Sequence, residues 1–431
     1  MGSKSIATAL ITVLIIPFLL FGCGNNASID GAKKPVEIKV TFWGAPDEVN
    51  IVTKIIKEWQ KTHPEIIVRL EHTPYRGYVD KLLTRIAGRS APDIICTEVD
   101  LFVTFQSRDV LLNLTPYVNK DSDLNIREFY PEIINRFSSK GKLYAIPRDT
   151  APFACVYYNK RLFDEAGIPY PTDDWDVNDM LDKAKKLTKV NENGKIVRYG
   201  FYAWAWQNFI YAFDGQLVNN VKNPKKCAMN SKNAIEGLQF YTDLINKYKV
   251  HPTATAMANL AMGVQGMFMT ERLAMFSSGI WETPGLRKIT NFEWDVAMFP
   301  KGPGGKRGFG TGGSGYSVLK STQNPKEAYE VLKALTGRHA QSMLAETGLT
   351  QPAIMDIAKV WANDGKAPKN KKMLLDAMKY VVYDPFSPVW REARDLYINS
   401  ALDKIFNVKE EVKPALDSMA IKVDALLKKQ R

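Results

Sequence analysis

Four cysteines and four histidines in 431 residues leave little material for metal or redox chemistry. Beyond Cys23 the thiols are Cys96, Cys155 and Cys227, an odd set with no CxxC and no metal-ligand spacing, so neither a disulfide framework nor a zinc site is expected. Cys96 and Cys155 lie in apolar, strand-like contexts that suit buried free thiols. His63, His72, His251 and His339 are scattered without HExxH or any paired spacing, and His63 and His251 each precede a proline at a helix end. Gly302-Pro303-Gly304-Gly305-Lys306 has neither the spacing nor the Ser/Thr of a phosphate-binding loop, and GxSxG is missing. No metal and no cofactor is expected. There is no internal repeat, no low-complexity tract and, after residue 20, no apolar run approaching the ~20 residues of a membrane span.

The charge that is present is dispersed. Lys and Arg outnumber Asp and Glu by 58 to 46, a formal net charge of +12, but the signs alternate along the chain. The densest basic clusters, Lys369-Asn370-Lys371-Lys372 and Lys428-Lys429-Gln430-Arg431, read as solvated faces or tails, so nucleic acid is not an expected partner. An anionic membrane or cell wall is the more economical neighbour. Hydrophobic and charged contents of 45% and 24% are those of an ordinary globular protein.

The chain opens with a positive start at Lys4, an apolar stretch from Ile6 to Leu20 and the small residue Gly22, the order of a secretory signal over residues 1–22. An uncleaved membrane helix is the alternative, but the run is short and interrupted by Pro17. Leu19-Leu20-Phe21-Gly22-Cys23 resembles the bacterial lipobox, with Phe21 where a small or β-branched residue is usual. That resemblance implies a cleaved signal and a Cys23 carrying acyl chains such as palmitate. Each buried methylene contributes about 0.8 kcal/mol, so more than one chain anchors firmly. Residues 23–35 then form a polar linker, and the protein is expected outside the cytoplasm, tethered to the cell membrane.

Removing the signal leaves about 409 residues, too many for one core and suited to two lobes. Val36, Ile38, Val40 and Phe42 alternate with mostly polar residues, as in a strand. Val49, Val52, Ile55, Ile56 and Trp59 recur at helical spacing until Pro64, and Ile66 to Leu70 reads as a second strand. Tyr78, Leu82, Leu83 and Ile86 mark a second helix, and Pro92 to Cys96 a third strand. This β-α-β-α-β order predicts parallel strands and an α/β lobe. In such sheets the ligand crevice lies beyond the carboxyl ends of the strands, which picks out Trp43-Gly44 and the segment Thr97 to Asp100. Further on, Val412, Leu416, Met419, Val423 and Leu427 share one helical stripe.

Several strings match a known family in order and spacing. They are Val40-Thr41-Phe42-Trp43, Ala91-Pro92-Asp93-Ile94-Ile95, Leu112-Asn113-Leu114-Thr115-Pro116-Tyr117 and Gly141-Lys142-Leu143-Tyr144-Ala145-Ile146-Pro147. They continue with Tyr157-Tyr158-Asn159-Lys160-Arg161-Leu162-Phe163, Ala166-Gly167-Ile168-Pro169 and Met267-Phe268 to Ser277-Ser278-Gly279-Ile280-Trp281. Together they resemble the bacterial extracellular solute-binding proteins of ABC importers, in the large family that mostly serves saccharides. The resemblance implies the two-lobe α/β fold of periplasmic binding proteins, with hinge crossovers near Arg148–Ala154, Ala297–Gly304 and Gly348–Pro352. One lobe would be 36–150 plus 300–350, the other 151–299 plus 351–431. It also implies a saccharide ligand, an oligosaccharide, and the transmembrane subunits of an ABC permease as partners of a monomeric, non-catalytic receptor.

Sugars offer apolar C–H faces for aromatic stacking and hydroxyls for carboxylates and guanidinium groups. Candidate stacking residues are Trp43, Trp204 and Trp206 (on one side if that segment is extended), Trp281 in the family's small-Gly-x-Trp loop, and Trp390 in a late segment where relatives often carry an aromatic. Trp59, Trp175, Trp294 and Trp361 are read as packing residues. Polar candidates are Glu98, Asp100, Arg148, Asp149 and Asp384, and the turn at Gly313-Ser314 could bring backbone N–H groups to hydroxyls. Two alternatives share part of this reading. The same fold could take a phosphorylated polyol, to which Arg148 lends weight; a secreted carbohydrate-active enzyme could use paired carboxylates such as Glu98 and Asp100.

Overall fold

The computed structural model describes residues 34–430; the signal segment, Phe21 and Cys23 lie outside the described residues. In β1 (Val36–Phe42) the alternate residues Ile38, Val40 and Phe42 point inward and are buried. α1 (Pro46–Gln60) follows, with Pro46 at its start, where no N–H is needed, and Asp47 and Glu48 in the first turn, where acidic groups suit the helix dipole. β2 (Ile66–His72) pairs parallel with β1, from Val36 opposite Ile66 to Phe42 opposite His72. α2 (Tyr75–Ala87) is kinked at its first turn, where Gly77 takes a φ of +90° that only glycine adopts easily. β3 (Ile94–Glu98) returns parallel to β1 on its other side. The local periodicities thus produce the expected β-α-β-α-β unit, and a short strand, β4 (Ile146–Pro147), ends this part of the chain.

The chain then crosses through β5 (Asp149–Pro152) to a second sheet. Its central strand β6 (Cys155–Asn159) is buried along its whole length, as a strand covered on both faces must be. β7 (Tyr202–Ala203), β8 (Met275–Ser278) and β9 (Trp294–Met298) complete the order β7-β8-β6-β9. β8 and β9 run antiparallel to β6, and the Tyr157 and Phe276 rings stack at 4.8 Å between them.

β10 (Phe309–Gly312) leads back, and β11 (Ser314–Val318) inserts antiparallel between β3 and β4 in the first sheet. Short segments β12 (Gln351–Pro352) and β13 (Val381–Val382) join β5 and β10 in a small sheet of order β12-β5-β10-β13 that lies at the crossings. The return crossing is therefore at Phe309–Gly312, later than the expected 297–304. Residues 294–298 are instead a buried strand of the second sheet. The glycine-rich turn after it is held there, Lys301 pairing with Asp176 and the Gly302 N–H donating to the Lys306 carbonyl at 2.7 Å.

Each sheet has its own core. One cluster joins Ile38, Phe102, Phe105, Phe137 and Tyr316; the other joins Tyr157, Phe209, Phe276, Phe299 and the C-terminal helix Val412–Lys428 through Val412, Leu416, Met419, Val423 and Leu427. The fold is mixed α/β with two lobes. Cys96, Cys155 and Cys227 are free and buried. Among the described residues no helix is long and apolar enough to cross a membrane.

Candidate functional site

A cavity of about 650 Å³ lies where the carboxyl ends of β1 and β3, the crossing strands and the loops of the second lobe converge. Five aromatic side chains, Trp43, Tyr75, Phe153, Trp204 and Trp281, stand in its wall. On the second-lobe side Phe153, Trp204 and Trp281 cluster, with Phe153 4.8 Å from Trp204 and 5.9 Å from Trp281, both edge to face, and Trp204 6.3 Å from Trp281. On the first-lobe side Trp43 meets Tyr75 at 5.8 Å and the core residue Tyr78 at 4.9 Å. Edge-to-face packing of this kind is favourable and holds the ring planes relative to one another.

Trp281 is held by two local devices. Its indole N–H donates to Glu282 Oε1 at 3.1 Å, and Glu282 in turn accepts from the Ser278 hydroxyl at 2.9 Å and the Gln265 amide at 2.6 Å. The ring lies over Gly279, where a Cβ would stand 1.8 Å from its Cζ3. The Ser278-Gly279-Ile280-Trp281 string is thus a seat for an indole.

The polar groups are arranged around a buried cation. Arg148, 5% exposed, donates to Glu48 Oε1 at 2.6 Å and to Asp149 Oδ2 at 2.9 Å. Asp149 is fixed from the other side by the Ser314 N–H at 2.7 Å and the Ser314 hydroxyl at 2.9 Å. Burial alone would lower the Arg148 pKa, but the carboxylates of Glu48 and Asp149 outweigh it and hold the guanidinium well above its ordinary value. Next to Ser314, Gly313 has a φ of +134° and a Cβ there would meet Ile133 at 2.6 Å, so this tight passage between β10 and β11 needs glycine. Tyr75 donates to Glu98 Oε2 at 2.9 Å, and Asp384 faces Arg394 at 3.5 Å.

Of the residues read from sequence, Trp43, Glu98, Arg148, Asp149, Trp204, Trp281, Gly313, Ser314 and Asp384 line the cavity. Trp206 does not. The segment bends at Trp204, whose carbonyl accepts from the Trp206 N–H at 3.0 Å, so the two indoles diverge and Trp206 packs on the second core. Trp390 does not line it either: it is 4% exposed and belongs to that same core. Asp100 lies in the helix Val99–Ser107, and its side chain is outside the described ones. Trp175, Trp294 and Trp361 are core residues, and Trp59 stacks on His63 at 4.1 Å against the first core. The reading missed Glu48, Tyr75, Phe153 and Arg394. Phe153 could have been found as the aromatic inside the Arg148–Ala154 crossing. Glu48 was visible only as part of an acidic helix start. Among the described residues no group of three His, Cys, Asp or Glu is placed to hold a metal.

Two lobes, strands crossing between them, and an aromatic cavity at the crossing define a solute-binding protein of the hinged, periplasmic-binding type. The chain belongs to the bacterial extracellular solute-binding proteins, whose family pattern matches residues 45–342. It is 27% identical over 395 residues to a binding protein of Brucella abortus, covering 87% of this chain and 89% of that one. It is 23% identical over 412 residues to the arabinooligosaccharide-binding protein of Halalkalibacterium halodurans, covering 92% and 83%. Among solved structures, the ABC substrate-binding protein of Listeria monocytogenes in complex with cycloalternan superposes with a TM-score of 0.83 at 25% identity, over 91% of this chain and 99% of that one.

Proposed function

We propose that this protein is the substrate-capturing lipoprotein of an ABC importer, holding an oligosaccharide in the cavity between its lobes and presenting it to the permease. The observation that carries the sugar assignment is the gathering of Trp43, Phe153, Trp204 and Trp281 in the wall of one cavity, with Glu98 and Asp384 as hydrogen-bond partners for hydroxyls. The relatives named for arabinooligosaccharide and solved with cycloalternan support the same ligand class. The receptor is a monomer that binds its sugar without turning it over, and the lobes close around it because the ligand fits the closed form better. Calorimetric titration with a panel of linear and cyclic oligosaccharides tests the assignment. Silence across the panel, with heat released on adding another solute class, would overturn it. The anchor is tested separately: labelled palmitate should enter the wild-type protein and be lost in Cys23→Ala.

A further inference from the structure

The cavity wall carries two guanidinium groups, Arg148 and Arg394, against four carboxyl groups, Glu48, Glu98, Asp149 and Asp384. Both guanidinium groups already face carboxylates: Arg394 faces Asp384, and Arg148 lies between Glu48 and Asp149. The cavity is thus acidic inside a chain whose formal net charge is +12. The long-range field draws anions toward the protein, so any discrimination against them has to be local. Asp149 is committed to the hinge through two bonds from Ser314. Glu48 is different. It reaches from the first turn of α1, and its carboxyl group fills the space beside Gly44, where a Cβ would come within 2.7 Å of it. Gly44 and Glu48 both line the cavity.

We infer that Glu48 is a specificity-determining residue, a built-in anion that occupies the seat Arg148 would otherwise offer to a phosphate or uronate group and so restricts the cavity to uncharged sugars. An incoming anion must displace a bonded carboxylate or sit beside it, and like-charge repulsion is strong beside groups as buried as Glu48 and Arg148. This deepens the saccharide reading and rests on it for the ligand class, but the charge filter itself can be tested with simple anions.

The test uses the full mature protein as wild type, Glu48→Gln and the double variant Glu48→Gln/Arg148→Met. Each is titrated with the neutral oligosaccharide found in the panel, its C6-oxidised uronate form, glycerol 3-phosphate and inorganic phosphate. The expected result is that wild type binds the neutral sugar and ignores the three anions. Glu48→Gln should gain roughly ten- to a hundredfold in affinity for the uronate or phosphate form, the size of one charge-assisted hydrogen bond, and the double variant should lose that gain. A purely structural Glu48 would weaken all ligands alike and create no anion site. Wild type binding the uronate as tightly as the neutral sugar overturns the inference, as does a folded Glu48→Gln with no gain for any anion. If no sugar binds, the saccharide reading fails while the phosphate arms still decide the filter. If Glu48→Gln does not fold, the wild-type comparison decides it.

Discussion

At Gly279 the lack of one methyl group determines where the Trp281 ring can lie. Gly279→Ala should therefore weaken ligand binding about as much as Trp281→Ala, because the new Cβ pushes the indole off its seat; matched isothermal titrations of the two variants check this. Trp204, 39% exposed at the cavity, and Trp390, 4% exposed in the core, make the opposite pair. Trp204→Ala should cost about 1.5–3 kcal/mol of binding, roughly ten- to a hundredfold in Kd, with little change in melting temperature. Trp390→Ala should remove about 3–5 kcal/mol of folding stability, read by thermal or denaturant unfolding, and leave the aromatic wall intact. Residue type picks out the aromatics but not whether each lines the cavity or the core. It could not distinguish these two tryptophans, because the side of a bend or helix that a ring takes depends on partners far away in sequence. Trp43 and Trp281 were legible because a strand end and a glycine mark their places locally.

At the scale of elements, ion pairs bridge the lobes on two flanks. Asp47 at the start of α1 pairs with Lys288 after the helix Thr283–Leu286 at 3.3 Å, and Asp80 of α2 pairs with Arg391 of the helix Trp390–Ala393 at 3.5 Å. Exposed pairs contribute only about 0.2–1 kcal/mol each and are screened by salt. Lys288→Glu and Arg391→Glu should thus each speed ligand release by a few-fold, and raising the ionic strength should mimic the effect in wild type; stopped-flow release rates measure both. Elements with local periodicity were the readable ones: the alternation in β1 and the helical stripe of 412–427 needed no tertiary knowledge. The return crossing, placed near 297–304 by the family resemblance, falls later because Trp294–Met298 is a strand of the second sheet. Only its pairing with β6 shows that it stays.

For the molecule as a whole, a ligand that bridges both lobes couples binding to stability and to shape. At a hundred times its Kd the bound sugar should raise the unfolding free energy by about 2.7 kcal/mol, seen as a higher melting temperature. Small-angle scattering should show a smaller radius of gyration with the sugar than without it, and an unchanged radius would argue against closure. The two-lobe α/β class was legible because its β-α-β unit is local and because family strings recur along the chain. The cavity's charge arrangement was not, since Glu48, Arg148 and Ser314 meet only after three separate segments have folded together.

The insertion of β11 between β3 and β4 also sets a timetable. The first sheet is left split until residues 314–318 arrive, so most of the polypeptide must be made before its N-terminal half can reach its final form. Pairings this distant close slowly, because loop entropy is lost before the contacts form. The late strand is also the one that carries Ser314 to the cavity wall, so completing the first sheet and completing the site are one event.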